Sequence, residues 1–450
     1  MILNAFSVLT ASQNGNGLWR HPEDERHRFN DLDWWVAYAR RIEDAGFTAL
    51  MFADSFGTGD VSDALDRAQL EEGAYFPATD PFVYVPALAG ATSRLSFIAT
   101  ASTTFENPYA LARRIGSLDH LARGRFGWNI VTSFVPAMGR AYGTPLPPHT
   151  ERYARADEFL RACYVLWEGS WEDGAATPGS DRLVDPDRVH DVSHEGDFFR
   201  LSGRFTVSPS PQRTPVLVQA GHSSQGTDFA ARHAEVVLVT GTKEEARTYI
   251  AEVRRLAAEH GRDPSALRFL IPAVVVTGAD DADAARRVAE YRRLWSRRAS
   301  AAVMALFTGY DLTAEADDGT FSYAQTDRHQ SAARTLASAG DDGRSRKEAY
   351  ERATAFPGSH IFISGGPETV ADELEAWTAI GVDGVNLMDL VSPADMHRFI
   401  EHVVPELDRR GLVERPQGAR TLREHLFGRP RLSPDHPGAG LRPARHGADA

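Results

Sequence analysis

Eight short apolar segments alternate along this chain with longer stretches whose apolar residues recur every three or four positions. The short segments are predicted strands, and the longer stretches are predicted amphipathic helices. Strands that alternate with helices form parallel β-α-β units. Eight such units fit a closed barrel better than an open sheet, so the sequence predicts an α/β fold, a (β/α)8 TIM barrel. The predicted strands are Ile2–Leu9, Ala49–Ala53, Leu95–Thr100, Phe126–Thr132, Val216–Gln219, Val236–Val239, Phe269–Val276 and Val385–Met388.

Two long segments interrupt this alternation and lack a strong periodicity of their own. Residues 168–211 follow the fourth predicted strand and residues 299–360 follow the seventh, and both are rich in residues typical of loops. We interpret them as insertions into a single barrel of residues 1–410 and as candidate lid and substrate walls. The segment 55–80 is predicted to be irregular. The Pro-, Arg- and Gly-rich extension 411–450 is expected to wrap the surface or to be mobile.

Composition limits the partners of the chain. Its 62 acidic and 49 basic residues give a net charge of −13, which opposes binding to nucleic acids and anionic membranes. No apolar run approaches the ~20 residues that span a bilayer, and the first residues lack the features of a signal peptide. The lone cysteine, Cys163, lies on an apolar helical face and is expected to pack in the core. We therefore expect a cytoplasmic protein with no nucleic-acid and no membrane partner.

The segment Pro215–Ala231, PVLVQAGHSSQGTDFAA, is predicted to form a strand, a tight turn and a helix. Gly221 and Gly226 bracket the turn, and the helix is predicted to begin near Thr227. Such a turn presents backbone N–H groups, two serine hydroxyls and a positive helix end, which suit a phosphate. A serine-hydrolase elbow needs G-x-S-x-G, whereas this turn has G-x-S-x-x-G. The remaining interpretation is a glycine-rich connection without a ligand.

Polar residues follow several of the predicted strands, at the end where barrels of this class carry their active site. The residues therefore expected to converge on one mouth are Asp54, Thr100, Thr132 with Ser133, and Gly221 with Ser223 and Ser224. Asp54 could accept a hydrogen bond, act as a base, or pair structurally with a basic neighbour, and Thr100 could contact the polar edge of a ring. Asn129 and Thr132 differ in parity along their strand, so both cannot face inward unless the strand bulges.

His149 and Tyr153 lie at the start of a predicted helix, for which Thr150 is the expected N-cap. Their spacing of four places both side chains on one helical face. Because their loop lies between the fourth and fifth strands, an imidazole and a phenol would come close to the glycine-bracketed turn. They would suit a phosphate monoester. The alternative is that Tyr153 packs on the barrel and His149 is solvated.

No metal site is predicted, since the sequence contains neither a two-His helical pair with an acid nor a Cys-bearing ligand set. A P-loop is also missing, as is a G-x-G-x-x-G pattern after the first strand. A barrel with a pocket for a phosphate and a ring, but without a metal, indicates an organic cofactor that carries the reaction.

The segment Glu106–Ser133, ENPYALARRIGSLDHLARGRFGWNIVTS, resembles the signature block of a known enzyme family. The family is that of the FMN-dependent monooxygenases (component A) of the nitrilotriacetate, dibenzothiophene-sulfone and pristinamycin synthase type, in the bacterial-luciferase-like superfamily. Further blocks in the same order extend the resemblance over nearly the whole chain. They are Leu18–Pro22, Met51–Ser55, His149–Leu160, Val218–Gly226, Gly365–Leu374 and Ala419–Gly428.

The resemblance implies a luciferase-like barrel that uses reduced FMN as a co-substrate together with O2. A separate NAD(P)H:flavin reductase would supply the reduced FMN, and a small organic substrate would be oxygenated through a flavin peroxide. The resemblance also implies a homodimer or homotetramer. It assigns no catalytic residue and leaves the substrate open.

The same resemblance implies two groups of cofactor-binding residues. Asp54 and Thr100 would lie beside the isoalloxazine ring. The group that would hold the ribityl phosphate is His149, Tyr153, Ser223 and Ser224.

One position departs from the family's pattern. Asn107 precedes Pro108 and Tyr109 where members usually carry histidine, which leaves the substrate and the peroxide-handling step open. Two alternatives remain at this point. One is a deazaflavin- or flavin-dependent oxidoreductase that transfers hydride on the same barrel, and the other is a flavin-binding protein without catalysis.

Overall fold

Eight parallel strands close into a barrel in the computed structural model, which describes residues 1–54, 57, 59–176, 181–311, 320–321, 328, 344–358, 360–415, 418 and 420–443. The predicted (β/α)8 barrel is thereby confirmed. The strands are β1 (Ile2–Val8), β2 (Ala49–Ala53), β3 (Ser96–Ser102), β4 (Phe126–Val131), β5 (Val192–Glu195), β6 (Arg200–Gly203), β7 (Val216–Gln219), β8 (Val236–Leu238), β9 (Arg268–Thr277), β10 (Thr320–Phe321), β11 (Arg344–Ser345), β12 (Ile361–Gly365) and β13 (Gly384–Met388). Around the barrel they follow the order β1, β2, β3, β4, β7, β8, β9 and β13, and β13 pairs with β1.

Helices cover the outside of the barrel. They are α1 (Leu32–Asp44), α2 (Asp63–Glu71), α3 (Pro81–Ala91), α4 (Pro108–Leu121), α5 (Pro136–Ala141), α6 (His149–Tyr164), α7 (Ser224–His233), α8 (Lys243–Glu259), α9 (Asp281–Leu294), α10 (Arg297–Thr308), α11 (Arg346–Thr354), α12 (Pro367–Thr378), α13 (Ala394–Arg398), α14 (Val404–Arg409) and α15 (Leu422–Phe427). Their apolar faces bury a large core against the strands, which includes Cys163 as expected. Among the described residues, no helix combines the length and the apolar character needed to cross a bilayer.

The register of the strands brings their carboxyl ends to one rim. Val8 pairs with Ala53 at the ends of β1 and β2, and Ser102 pairs with Val131 at the ends of β3 and β4. Ile130 in turn pairs with Gln219 at the end of β7. Loops that follow these strands therefore meet at the same end of the barrel, as parallel pairing requires.

Several regular elements lie where the sequence predicted none. The segment predicted to be irregular contains α2, which has the N-cap Ser62. Strand β12 lies between the second predicted insertion and the next predicted helix, and it pairs with residues 273–277 of β9. The first insertion contains an antiparallel hairpin of β5 and β6. The strands β5, β6 and β12 have only four or five residues each, which is too few for their periodicity to be distinguished from that of a loop.

The C-terminal extension closes the amino-terminal end of the barrel, which corrects the expectation that it wraps the surface or is mobile. Leu422 and Leu426 of α15 pack against apolar residues of the barrel interior, among them Ile98 and Val216. Arg423, between them, is fully buried. Helix α15 is therefore part of the core, whereas other described residues of the extension, such as Arg420 and Gly428, are exposed.

Candidate active site

A cavity of about 330 Å³ lies at the carboxyl ends of the barrel strands. Its wall is formed by residues from β1, β2, β4, β7 and β8 and from the loops that follow them, together with residues of α6 and α10. Four of the six predicted cofactor-binding residues, Asp54, His149, Tyr153 and Ser223, line it, as do the expected mouth residues Thr132, Ser133 and Gly221. The location agrees with the general position of active sites in barrels of this class.

One end of the cavity is formed by the turn between β7 and α7. Ser223 is the N-cap of α7, and its hydroxyl accepts a hydrogen bond from the N–H group of Gly226 at 3.1 Å. The helix therefore begins at Ser224, three residues before the predicted start at Thr227. The capping serine leaves other N–H groups of the first turn without a helical partner, so this end of the cavity carries a partial positive charge.

Helix α6 forms the neighbouring wall and contributes His149, Arg152 and Tyr153. The rings of His149 and Tyr153 lie edge to face with centroids 5.3 Å apart. Arg152 is only 1% exposed, and its Nη1 donates to the carbonyl oxygen of Pro147 at 2.8 Å. The expected N-cap Thr150 was wrong, because the helix begins at His149 after Pro148. This wall therefore also contains a buried guanidinium, which is a group that binds phosphate and was not among the predicted site residues.

The phenol of Tyr153 connects the two walls. It hydrogen-bonds with side chains of Ser223, Thr132 and Gln219, and burial raises its pKa. The hydroxyl therefore stays protonated at neutral pH and can donate. A Cβ atom at Gly226 would lie 2.7 Å from the Tyr153 oxygen. Glycine is required here because the phenol approaches the backbone of the turn too closely for a side chain.

The floor of the cavity carries two amide side chains. Asn129 Oδ1 and Gln219 Oε1 are buried and have no hydrogen-bond partner among the described residues. Thr100 lies behind them and is not part of the cavity wall. Its hydroxyl donates to the carbonyl oxygen of Phe52 at 2.8 Å and accepts from Asn129 Nδ2 at 2.8 Å. Thr100 thus orients Asn129, whose free oxygen remains available as an acceptor.

Asn129 and Thr132 both line the cavity, although the parity argument allowed only one of them to face inward. Strand β4 ends at Val131, so the alternation of side chains does not extend to Thr132. The next residue, Ser133, has a φ of 56°, which confirms that the backbone leaves the extended conformation here.

Two other singled-out positions lie outside the cavity wall. The side chain of Ser224 is exposed, and its hydroxyl donates to Gln225 Oε1 at 2.9 Å. Asn107 is the N-cap of α4, where its side chain accepts from the N–H group of Ala110 at 3.1 Å. Asn107, which stands where the family usually has histidine, therefore has a local structural role. Its side chain provides a hydrogen-bond acceptor for an N–H group of the first helical turn.

Aromatic rings dominate the outer part of the cavity, and Arg328, which donates to the carbonyl oxygen of Leu306 at 3.2 Å, also belongs to the cavity wall. Tyr75, Phe134 and Phe307 line this part, and the ring centroids of Tyr75 and Phe134 each lie 5.7 Å from that of Phe307. Phe307 belongs to α10, so the second predicted insertion contributes to the wall. About half of that insertion, including residues 312–319 and 329–343, lies outside the described residues, so its prediction as a lid remains a prediction.

The polar side chains of the cavity that reasoning from the sequence missed include Arg152, Gln219, His222 and Arg328. Arg152 lies three residues after His149, and this spacing on one helical face was the available signal. The ring centroids of His222 and Tyr249 lie 4.4 Å apart. His222 precedes α7 and Tyr249 lies in α8, so no spacing within one helix or strand reveals this contact. Within the described part of the chain, no group of three or more His, Cys, Asp or Glu residues is arranged to hold a metal ion.

Comparisons with known proteins identify the family. The family model described as luciferase-like monooxygenase matches residues 5–384. A long-chain alkane monooxygenase of Geobacillus thermodenitrificans (strain NG80-2) is 38% identical over an alignment of 448 residues that covers 98% of this chain and 97% of the relative. A dimethyl-sulfide monooxygenase of Hyphomicrobium sulfonivorans is 35% identical over an alignment of 457 residues that covers 100% of this chain and 95% of the relative.

The same likeness extends to three dimensions. The crystal structure of a riboflavin lyase with modified FMN and the substrate riboflavin has a TM-score of 0.92 and 34% identity, and the match covers 99% of this chain and 100% of that chain. The likeness in sequence and fold spans the barrel and the C-terminal extension alike. The chain belongs to the luciferase-like monooxygenase family.

Proposed function

We propose that this protein is the oxygenase of a two-component system that uses reduced FMN and O2 to oxygenate a small organic substrate. A separate NAD(P)H:flavin reductase would supply the reduced FMN. The observation that carries the proposal is the division of one cavity into a cationic end, a floor with two free acceptors, and an outer part rich in aromatic rings. The cationic end suits the phosphate of FMN, the floor suits its ring, and the outer part suits an apolar substrate.

The cationic end fits the phosphate of FMN. We assign this group to Arg152, His149, Tyr153 and Ser223, together with backbone N–H groups at the start of α7, to which Ser224 contributes through its main chain. A guanidinium and a helix start both favour a phosphate dianion. The neutral phenol of Tyr153 adds a donor without adding charge.

The floor fits the ring. A buried acceptor without a donor costs stability, and reduced isoalloxazine carries N–H groups that would satisfy such acceptors. We assign Asn129 and Gln219 to this contact, with Asp54 at the rim as a further acceptor and Thr100 as the residue that positions Asn129. When bound, reduced FMN would supply the electrons that activate O2.

The chain's own contribution is orientation and exclusion of water. The aromatic side chains of Tyr75, Phe134 and Phe307 remove polar contacts from the space above the floor. Water is disfavoured there, and the hydrogen bonds and charges around the floor act in a region of low dielectric constant. An apolar substrate would find its surface buried against the same rings. Assembly as a homodimer or homotetramer is part of the proposal.

The phosphate assignment can be tested by comparing two flavins that differ only in the phosphate. Reduced FMN and reduced riboflavin are titrated without oxygen into the native protein, Arg152→Met and the control Arg155→Met. Arg155 lies on the same helix but stacks on Phe199, with 4.4 Å between its Cζ atom and the ring centroid. We expect Arg152→Met to lower the affinity for reduced FMN at least tenfold, since each charge-assisted contact contributes about 1.5–3 kcal/mol. The affinity for reduced riboflavin should not change. Equal losses for both flavins, or no loss for FMN, would contradict the assignment.

A further inference from the structure

A second cavity lies at the opposite end of the barrel from the candidate active site. Its volume is about 510 Å³, and it opens to solvent between the segments that precede β2, β3 and β4 and the C-terminal extension. The arginines that line it are Arg94, Arg123, Arg125 and Arg420. Glu424 is the one carboxylate in the described wall, and it already accepts from the N–H groups of Arg420 and Thr421. The cavity therefore concentrates positive charge in a chain whose net charge is −13.

Two of these arginines lack an acceptor. Arg123 and Arg420 are both exposed to solvent, and their guanidinium groups form no ion pair or hydrogen bond with any described residue. Arg94 has only a contact of 3.9 Å with Asp44, and both side chains are more than half exposed. Arg125, in contrast, is buried and donates to several backbone carbonyl groups. Arg125 thus supplies charge, whereas Arg123 and Arg420 have donors left for a ligand.

The backbone presents Arg123 in an unusual way. Its φ of 55° lies in the left-handed region that favours glycine, and the next residue, Gly124, has a φ of 81°. Gly124 accepts a hydrogen bond from the N–H group of Leu422 at 2.9 Å, so this turn is in direct contact with the extension. The unpaired guanidinium groups of Arg123 and Arg420 therefore come from two segments that touch each other.

Hydroxyl groups complete the wall. Thr48, Ser93 and Ser96 line the cavity, and the hydroxyl of Thr48 lies 3.1 Å from His425 Nε2. Arginine guanidinium groups are planar, positively charged donors that suit the oxygens of phosphate groups, and hydroxyl groups add neutral donors. His425 carries the single aromatic ring of the described wall, so the cavity offers little surface on which a nucleobase could stack.

We propose that this cavity is a binding site for a compact anion that carries two or more phosphate groups. The positive charge of the wall exceeds what one phosphate requires, and the cavity volume is larger than a single phosphate fills. A ligand here would connect the barrel segments with the extension. Because it would bind only the folded state, it would also raise the temperature at which the protein unfolds.

Pyrophosphate is the probe for a calorimetric titration of the full-length protein, with and without saturating FMN. FMN would occupy the phosphate-binding end of the active-site cavity and leave the second site available. We expect one equivalent of pyrophosphate to bind in the presence of FMN. Arg420→Ala and Arg123→Gly should each weaken this binding at least tenfold. The glycine variant suits the positive φ of position 123, so it preserves the fold.

The matched control is Arg200→Ala, which removes an arginine whose side chain is 77% exposed on the hairpin of β5 and β6. It should leave the affinity unchanged. The proposal is wrong if FMN abolishes all pyrophosphate binding, if the control weakens binding as much as the two cavity variants, or if the cavity variants bind normally. Citrate serves as a tricarboxylate of similar size, and tighter binding of citrate than of pyrophosphate would overturn the assignment to phosphate groups.

Discussion

Arg423 and Glu235 form a buried two-point ion pair at the closed end of the barrel, with 2.7 Å between Nε and Oε1 and 2.8 Å between Nη2 and Oε2. Both side chains are almost inaccessible to solvent. Arg423 also donates to the carbonyl oxygens of Thr214 and Pro215, so all of its charge is compensated within the core. This pair attaches the C-terminal extension to the barrel.

Removing one member of this pair should be strongly destabilising, because the other charge stays buried without a partner. For Arg423→Ala we expect the free energy of unfolding in urea to fall by about 3–5 kcal/mol. Arg200→Ala, on the exposed hairpin, should change it by less than about 0.5 kcal/mol. Similar values for the two variants would show that the extension contributes little to the fold.

Gly226 should be sensitive to a single methyl group. A Cβ atom there would lie 2.7 Å from the Tyr153 oxygen and 3.0 Å from the carbonyl carbon of Gly221. We expect Gly226→Ala to displace the turn. In an anaerobic titration, the affinity for reduced FMN should fall at least tenfold, which corresponds to about 1.4 kcal/mol. The control is Gly90→Ala in α3, where a Cβ atom would meet nothing within 4 Å. Normal affinity in Gly226→Ala would mean that the turn does not bind the cofactor.

Thr100 should act on the cofactor through Asn129. Thr100→Val removes the acceptor of the Asn129 amide and one donor to the backbone, which should cost about 1–3 kcal/mol of stability. The affinity for reduced FMN should fall several-fold because Asn129 is no longer held. Thr100→Ser keeps the hydroxyl and should restore both quantities. A valine variant with unchanged FMN affinity would contradict the positioning role.

Asp389 should make stability depend on pH. Burial raises its pKa to about 7, and the nearby Asp395 carboxyl adds to the effect. A carboxyl whose pKa is raised in the folded state favours folding at low pH, and this contribution is lost as pH rises through about 7. Asp389→Asn removes that dependence. We therefore expect the variant to gain about 2–3 kcal/mol relative to the native protein between pH 5 and pH 8.

The pH prediction is measured by urea unfolding of both proteins at the two pH values. Titrating groups that do not interact with Asp389 are common to both proteins and cancel in the difference. The amide introduced by Asp389→Asn would keep a hydrogen-bond partner in Ser392, whose hydroxyl lies 2.9 Å from Asp389 Oδ2. A difference between the two proteins that does not change with pH would show that Asp389 titrates normally.

The eight barrel strands could be predicted because each is a short, mainly apolar segment and because such segments alternate with amphipathic helices along the chain. Their bounds agree with the structure to within one or two residues, as for Val216–Gln219. Strand β12 was missed because it has only five residues and follows an irregular segment, so no alternation of apolar and polar residues identifies it. The role of α15 was missed because its buried face contains Arg423, and the glutamate that compensates this charge lies 188 positions away.

The candidate site was predictable where a local pattern determines it. The turn Gly221–Gly226 and the pair His149 and Tyr153 follow from spacing alone, and the structure brings them to one cavity. Contacts across the barrel were not predictable in this way. The hydrogen bond between Thr100 and Asn129 joins two strands, so only their register could have revealed that Thr100 lies behind the floor.

The most direct test of the proposed function is an anaerobic titration with reduced FMN followed by rapid mixing with oxygenated buffer. Absorbance reports the return of oxidised flavin. If the cavity binds reduced FMN and excludes water from it, the protein should take up about one equivalent, and oxidised flavin should return more slowly than from free reduced FMN. Failure to bind reduced FMN, or reoxidation at the rate of the free flavin, would contradict the assignment as a reduced-FMN monooxygenase.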